Sequence, residues 1–206
     1  MNLETLRESI AAISSVMDDK EAYLIKLDAR FGDGDLGMSM KQGFKRLKEC
    51  VEETDEKDLG RLFKYCSAEL NEAVPSTLGT IISFGLMGMA KYLKGKEETD
   101  MKETAQAMCA GVRMIMDRAK SKPGDKTILD SLYPAAEALL KHADQGAAAW
   151  DAAYEAACDG MENTRNMKGM HGRIAYYGEK SIGEIDGGAA AGMLIFKALK
   201  EKWGGC

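Results

Sequence analysis

Histidine is nearly absent from this 206-residue chain, which has only His142 and His171. Neither stands beside a serine or cysteine in a nucleophile pattern, so no covalent catalytic group is visible. The five cysteines, Cys50, Cys66, Cys109, Cys158 and Cys206, are odd in number, scattered and never in a C-x-x-C pair. That argues against a disulfide framework and a zinc site and leaves them as core filler or incidental thiols. No run of lysine or arginine forms a basic stripe, and the formal net charge is −5. Nucleic acid and membrane surfaces are therefore poor partners. No apolar stretch reaches the ~20 residues needed to cross a bilayer, and the opening MNLETLRESI has neither a basic nor an apolar leader region. A cytoplasmic address is the expectation.

Alternating runs of β-branched and aromatic residues are also missing, whereas Ala, Leu, Met, Glu and Lys are abundant, an all-α composition. Helical periodicity runs over Leu3 to Asp28, Gly37 to Val51, Asp58 to Ala73, Leu78 to Gly95, Met101 to Lys120, Lys126 to His142, Ala147 to Asn166 and Asp186 to Trp203. Eight helices with short connections predict antiparallel neighbours within one domain spanning residues 1–206. The stretch 167–185 contains no convincing helix and is too long for an idle link. Its Tyr176, Tyr177 and Ile182 favour a functional loop over a disordered one.

The most informative short stretch is LDARFGDGDLGMS, residues 27 to 39. Its glycines match the spacing of a dinucleotide-binding loop, but a charged helical pattern precedes them where a strand is required. The liganding positions and closing glutamate of an EF-hand are missing as well. A plain turn, with Asp35 capping the next helix and Asp33 solvated, is one reading. The other counts Asp28 with Asp33 and Asp35: three carboxylates brought together repel one another and recruit a cation. Hard oxygen donors select Mg²⁺ or Ca²⁺, and Mg²⁺ commonly completes its shell with phosphate oxygens. The helix N-terminus after Asp35 offers free N–H groups to such a phosphate.

LDARFGDGDLG resembles the L-D-x-x-x-G-D-x-D-H-G signature of the nucleotide-binding L subunits of dihydroxyacetone kinases. PGDKTILDSLYPAAEAL and HGRIAYYGEKSIGEIDGGA are similar to two further blocks of that family, in the same order, so the resemblance covers nearly the whole chain. It implies a barrel of eight antiparallel helices with ADP or ATP across one end. The phosphates would be held through two Mg²⁺ ions by Asp28, Asp33 and Asp35. The family's nucleotide contacts fall on Leu36, Gly37, Met38 and Ser39, on Ser76 and Thr77, on Ala119 and Ile128, on Arg173, and on Asp186, Gly187 and Gly188.

The residue types suit these roles. Arg173 offers planar donors for phosphate, and Ser76 and Thr77 open a helix behind Pro75 and can add donors there. Each also has a structural reading: Ser76 as an N-cap, Arg173 as a surface ion pair, Asp125 and Lys126 as cap or supporting residues. Three departures stand out. Leu36 replaces the histidine that follows the aspartates, AVPSTLG replaces the G-G-x-S-G stretch, and Asp186-Gly187-Gly188 replaces D-P-G.

The resemblance implies half of an enzyme: a Mg²⁺ and ADP/ATP subunit passing phosphate to dihydroxyacetone or a related keto-sugar held on a separate K-type subunit. The phosphoryl donor is either ATP or a phosphotransferase-system protein. The alternative is a regulatory or adaptor protein that keeps nucleotide as a structural cofactor.

Overall fold

A computed structural model describes residues 1–205; the reading of Cys206 as a thiol of no special role lies outside them. The described α-helices are α1 (Leu3–Asp19), α2 (Glu21–Asp28), α3 (Leu36–Glu52), α4 (Leu59–Ala73), α5 (Thr77–Tyr92), α6 (Met101–Ala119), α7 (Leu129–Lys141), α8 (Ala148–Asn163) and α9 (Gly187–Trp203). Short 3-10 turns occupy Ala143–Gln145, Thr164–Asn166 and Arg173–Ser181.

From α3 onward each helix packs on the next in sequence, and α1 packs on both α3 and α9, so eight helices close into a ring. Trp203 Nε1 donates to Ser9 Oγ at 2.9 Å across the joint between α9 and α1. Because neighbours alternate in direction, the connections before α3, before α5, before α7 and before α9 fall at one end. Local chemistry sets the helix starts. Asn2 and Thr5 form a capping box on α1, Asp100 and Glu103 another on α6, and Asp58, Ser76 and Asp186 cap α4, α5 and α9. Apolar faces turn inward, and Met17, Leu24, Leu47, Leu59, Leu62 and Leu139 are fully enclosed. A largely apolar cavity of about 310 Å³ remains inside the ring, touched by Leu6, Ile10, Phe44, Phe63 and Trp150.

Several boundaries differ from the periodicity by up to three residues, α5 ending at Tyr92 and α8 at Asn163, and two differences bear on the site. The single helix expected from Leu3 to Asp28 breaks at Lys20 (φ −100°, ψ 8°). Lys41 of α3 fastens the break by pairing with Asp18 at 2.7 Å and Glu21 at 2.9 Å. The separate piece, α2, packs over the start of α3, where Gly37 lies against the Glu21 carbonyl with no room for a side chain. This gives the ring its eight staves plus one short helix. The helix expected from Lys126 begins at Leu129. Lys126 instead takes a positive φ of 61°, and the Asp130 carboxylate accepts from the Gly124 and Thr127 amides at 2.6 and 2.7 Å, holding a turn there.

The stretch 167–185 has no α-helix, and its 3-10 segment is interrupted at Gly178 (φ 56°, ψ −127°). Cys50, Cys66 and Cys109 are buried, and burial pushes the Cys66 and Cys109 thiols up to about 12 and about 11, which leaves both inert. Among the described residues no helix is long and apolar enough to cross a membrane.

Candidate functional site

Asp28 ends α2, and the chain then folds back on it. The Phe31 and Gly32 amides donate to the Asp28 carbonyl at 3.1 and 2.6 Å, and the Gly34 amide donates to Asp28 Oδ2 at 2.7 Å. A glycine is needed at 32, because any Cβ there would collide with the Asp28 carboxylate; Gly34 turns the chain at a φ of 76°. This reversal brings one carboxylate oxygen each from Asp28, Asp33 and Asp35 within 4.8 Å of one another. Burial, and then the charges of Asp33 and Asp28, push the Asp35 carboxyl up.

Asp35 stands at the N-cap of α3, yet its side chain makes no capping bond. The plain-cap reading of Asp35 is therefore corrected: its carboxylate turns toward the other acids, which leaves the first N–H groups of α3 without a side-chain partner. The donor set consists of hard oxygens on a backbone-fixed loop, and it fits Mg²⁺ beside phosphate. Arg173 reaches the same cluster, with Nη2 2.5 Å from Asp33 Oδ2. In the first turn of α3, Met38 is exposed and Ser39 half-buried, while the Leu36 side chain is buried against Gly187. Leu36 thus faces the core, and only its backbone is available to a ligand.

A second concavity of about 630 Å³ opens at the same end of the ring. Ser76, Thr77, Ala119 and Ile128 line it, together with Phe84, Ile115, Ser121, Thr127 and His171. Ser76 is also the N-cap of α5, accepting from the Gly79 amide at 3.1 Å, so its cap role and its place on the wall coexist. The start of α9 lies between this pocket and the acids: Gly187 abuts Leu36 and Gly188 abuts the backbone of Ile128. Asp186 caps that helix, accepting from the Ala189 amide at 2.7 Å; burial pushes its carboxyl up to about 7, against the pull of that amide and of Lys126.

Two supporting arrangements were not visible in the sequence. Lys126 is enclosed, and its ammonium donates to the carbonyls of Thr164 (2.6 Å) and Glu184, the two ends of the loop that carries Arg173. His171 Nε2 lies 3.0 Å from Asp125 Oδ2, and the Met170 amide donates to the Asp125 carbonyl at 3.1 Å. These bonds fasten the middle of the same loop to the turn before α7. Asp125 and Lys126 are supporting residues here, as the sequence suggested. The PGDKT motif was the available signal, but their partners lie far along the chain.

Comparison with known proteins agrees with this architecture. The family model of the DAK2 domain matches residues 30–201. The ADP-binding subunit DhaL of the PEP-dependent dihydroxyacetone kinase of Escherichia coli is 29% identical over 187 residues, covering 89% of each chain. The corresponding subunit of kinase 1 from Listeria innocua is 31% identical, covering 89% of this chain and 88% of its own. The L-erythrulose 1-kinase of Mycolicibacterium smegmatis is 29% identical over 96% of this chain, which spans 36% of that larger protein. The dihydroxyacetone kinase of C. freundii, solved with AMP-PNP and Mg²⁺, superposes with a TM-score of 0.78 over 97% of this chain and 34% of its own, at 23% identity. In sequence and in its helical fold, the chain belongs to the DAK2 domain family.

Proposed function

We propose that this chain is the nucleotide-binding subunit of a dihydroxyacetone or related keto-sugar kinase, holding ADP or ATP with two Mg²⁺ ions and passing phosphate to a sugar on a separate K-type subunit. The convergence of Asp28, Asp33 and Asp35 at the free N-terminus of α3 carries this reading. The names of the relatives, ADP-binding subunits and sugar kinases, support it.

Phosphoryl transfer asks mainly for in-line positioning and charge neutralisation, so the scarcity of nucleophile and base patterns on this chain is no obstacle. Magnesium on the three carboxylates would supply the neutralisation. The residues of the chain do the rest: the first amides of α3 receive phosphate oxygens, Arg173 adds planar donors, and the pocket beside Ile128 takes the remainder of the nucleotide. The relatives named PEP-dependent, and the PTS-dependent DhaL subunit of Lactococcus lactis, favour a phosphotransferase-system donor that recharges bound ADP over free ATP. The cytoplasm is the proposed location.

The test is a coupled assay. Purified protein, a K-type subunit and either ATP or the phosphotransferase proteins with PEP are incubated with dihydroxyacetone, and sugar phosphate is measured. Formation dependent on this chain is expected. No turnover with either donor, despite tight ADP and Mg²⁺ binding, would favour the adaptor reading instead.

A further inference from the structure

The pocket that receives Ser76, Thr77, Ala119 and Ile128 differs in kind from the acidic cluster. None of its lining side chains is Asp, Glu, Lys or Arg; the walls are Pro75, Ile81, Phe84, Ile115 and Leu129, with hydroxyls, one amide and His171. Such a lining carries no full charge to neutralise a phosphate, and its apolar walls with scattered polar groups suit a flat, uncharged heterocycle. If the nucleotide reading above holds, this is where the base lies.

His171 is the one aromatic heterocycle on that wall, and its orientation is fixed. Asp125, nearly enclosed, is held by the Lys122 amide at 2.9 Å and the Lys122 ammonium at 2.8 Å, and it faces His171 Nε2 at 3.0 Å. A carboxylate accepts and cannot donate, so Nε2 carries the hydrogen. In the neutral ring Nδ1 is then an acceptor, and the imidazole side chain is 40% exposed. Two residues on, Arg173 reaches Asp33. One short loop segment therefore addresses both ends of a bound nucleotide.

We propose that His171, oriented by Asp125, selects the nucleobase: Nδ1 accepts from the exocyclic 6-amino group of adenine and disfavours a 6-oxo purine, which presents an acceptor there. This rests on the nucleotide reading and adds base specificity to it. His171 opens the HGRIAYYGEKSIGEIDGGA stretch but is not among the nucleotide contacts that the resemblance implies.

The experiment is calorimetric titration of the wild type and of His171→Phe with three probes: ADP, inosine diphosphate and inorganic pyrophosphate, each with Mg²⁺. Phenylalanine keeps the planar wall and deletes the acceptor. Wild type should prefer ADP to inosine diphosphate by about tenfold, the scale of one hydrogen bond with its penalty for mispairing. His171→Phe should lose that preference by weakening ADP alone, with pyrophosphate unchanged. Asp125→Asn, which loosens the ring without removing it, should fall between the two. A wild type that binds ADP and inosine diphosphate equally overturns the proposal but leaves the nucleotide reading intact. So does a His171→Phe variant in which pyrophosphate weakens as much as ADP, which would make His171 only a fastener of the loop. Failure of the wild type to bind any nucleoside diphosphate would overturn both.

Discussion

Arg173 pairs with Asp33 across most of the length of the chain, which ties the loop before α9 to the acidic turn before α3. Both side chains are largely solvent-exposed, at 64% and 43%, so the pair contributes little to stability. Its consequence is for binding. Arg173→Ala should leave the melting temperature within about a degree of wild type, yet weaken Mg·ADP by roughly 10- to 100-fold, the range for a charged hydrogen bond. Arg173→Lys should recover only part, since it restores charge without the planar fork. Unchanged ADP affinity in the alanine variant would remove Arg173 from the site.

Asp33→Ala and Asp35→Ala test the cluster directly. Each should abolish Mg²⁺-dependent ADP binding while circular dichroism shows full helicity, because neither side chain caps a helix or packs in the core. Removing one of three crowded carboxylates also relieves repulsion, so the apo protein should melt no lower than wild type. Calorimetry with and without Mg²⁺ decides the matter: an Asp33→Ala protein that still shows magnesium-dependent affinity contradicts the assignment.

Lys126 is a different case. Its enclosed ammonium serves two carbonyls, that of Thr164, which also accepts from the Met167 amide at 3.1 Å, and that of Glu184. Lys126→Met would strip this donor from the Glu184 carbonyl and leave Thr164 with the Met167 amide alone, at a cost on the order of 1–3 kcal/mol. A loss of several degrees in melting temperature is expected, together with faster tryptic cleavage at Lys180 inside the released loop. Equal cleavage rates in variant and wild type would show that Lys126 does not secure the loop.

The Asp125 carboxyl gives a pH signature. Burial pushes it up, but Lys122 and His171 outweigh that and hold it at about 2. In the unfolded chain an aspartate titrates near ~3.9. Asp125 therefore stabilises the fold fully above about pH 4, and that contribution is lost as pH falls toward about 2. Urea melts should show Asp125→Asn less stable than wild type at pH 6, with the two curves converging near pH 2. A constant gap across that range would refute the linkage.

The acidic turn and the ring were legible because their signals are local: Asp28, Asp33 and Asp35 lie within eight residues, and helix periodicity needs only a few turns. The break at Lys20 was not legible, since no glycine or proline marks it and the side chain that fastens it, Lys41 bridging Asp18 and Glu21, comes from another helix. Leu36 stood out in the sequence as a replacement for the histidine after the aspartates; its side chain is a core one, and only its burial against Gly187 reveals that. The roles of Lys126 and His171 likewise depend on partners 38 to 58 residues away, and no spacing rule predicts such pairs.

The closed ring has a kinetic side. Every joint from α3 to α9 joins helices adjacent in sequence and can form early with little loop-closure entropy, whereas the joint of α9 on α1, where Trp203 meets Ser9, unites distant parts of the chain. The acidic turn lies between α2 and α3, under the first residues of α9. A chain whose last stave has not docked therefore lacks the wall that Gly187 sets against Leu36, and its acidic turn is half-built.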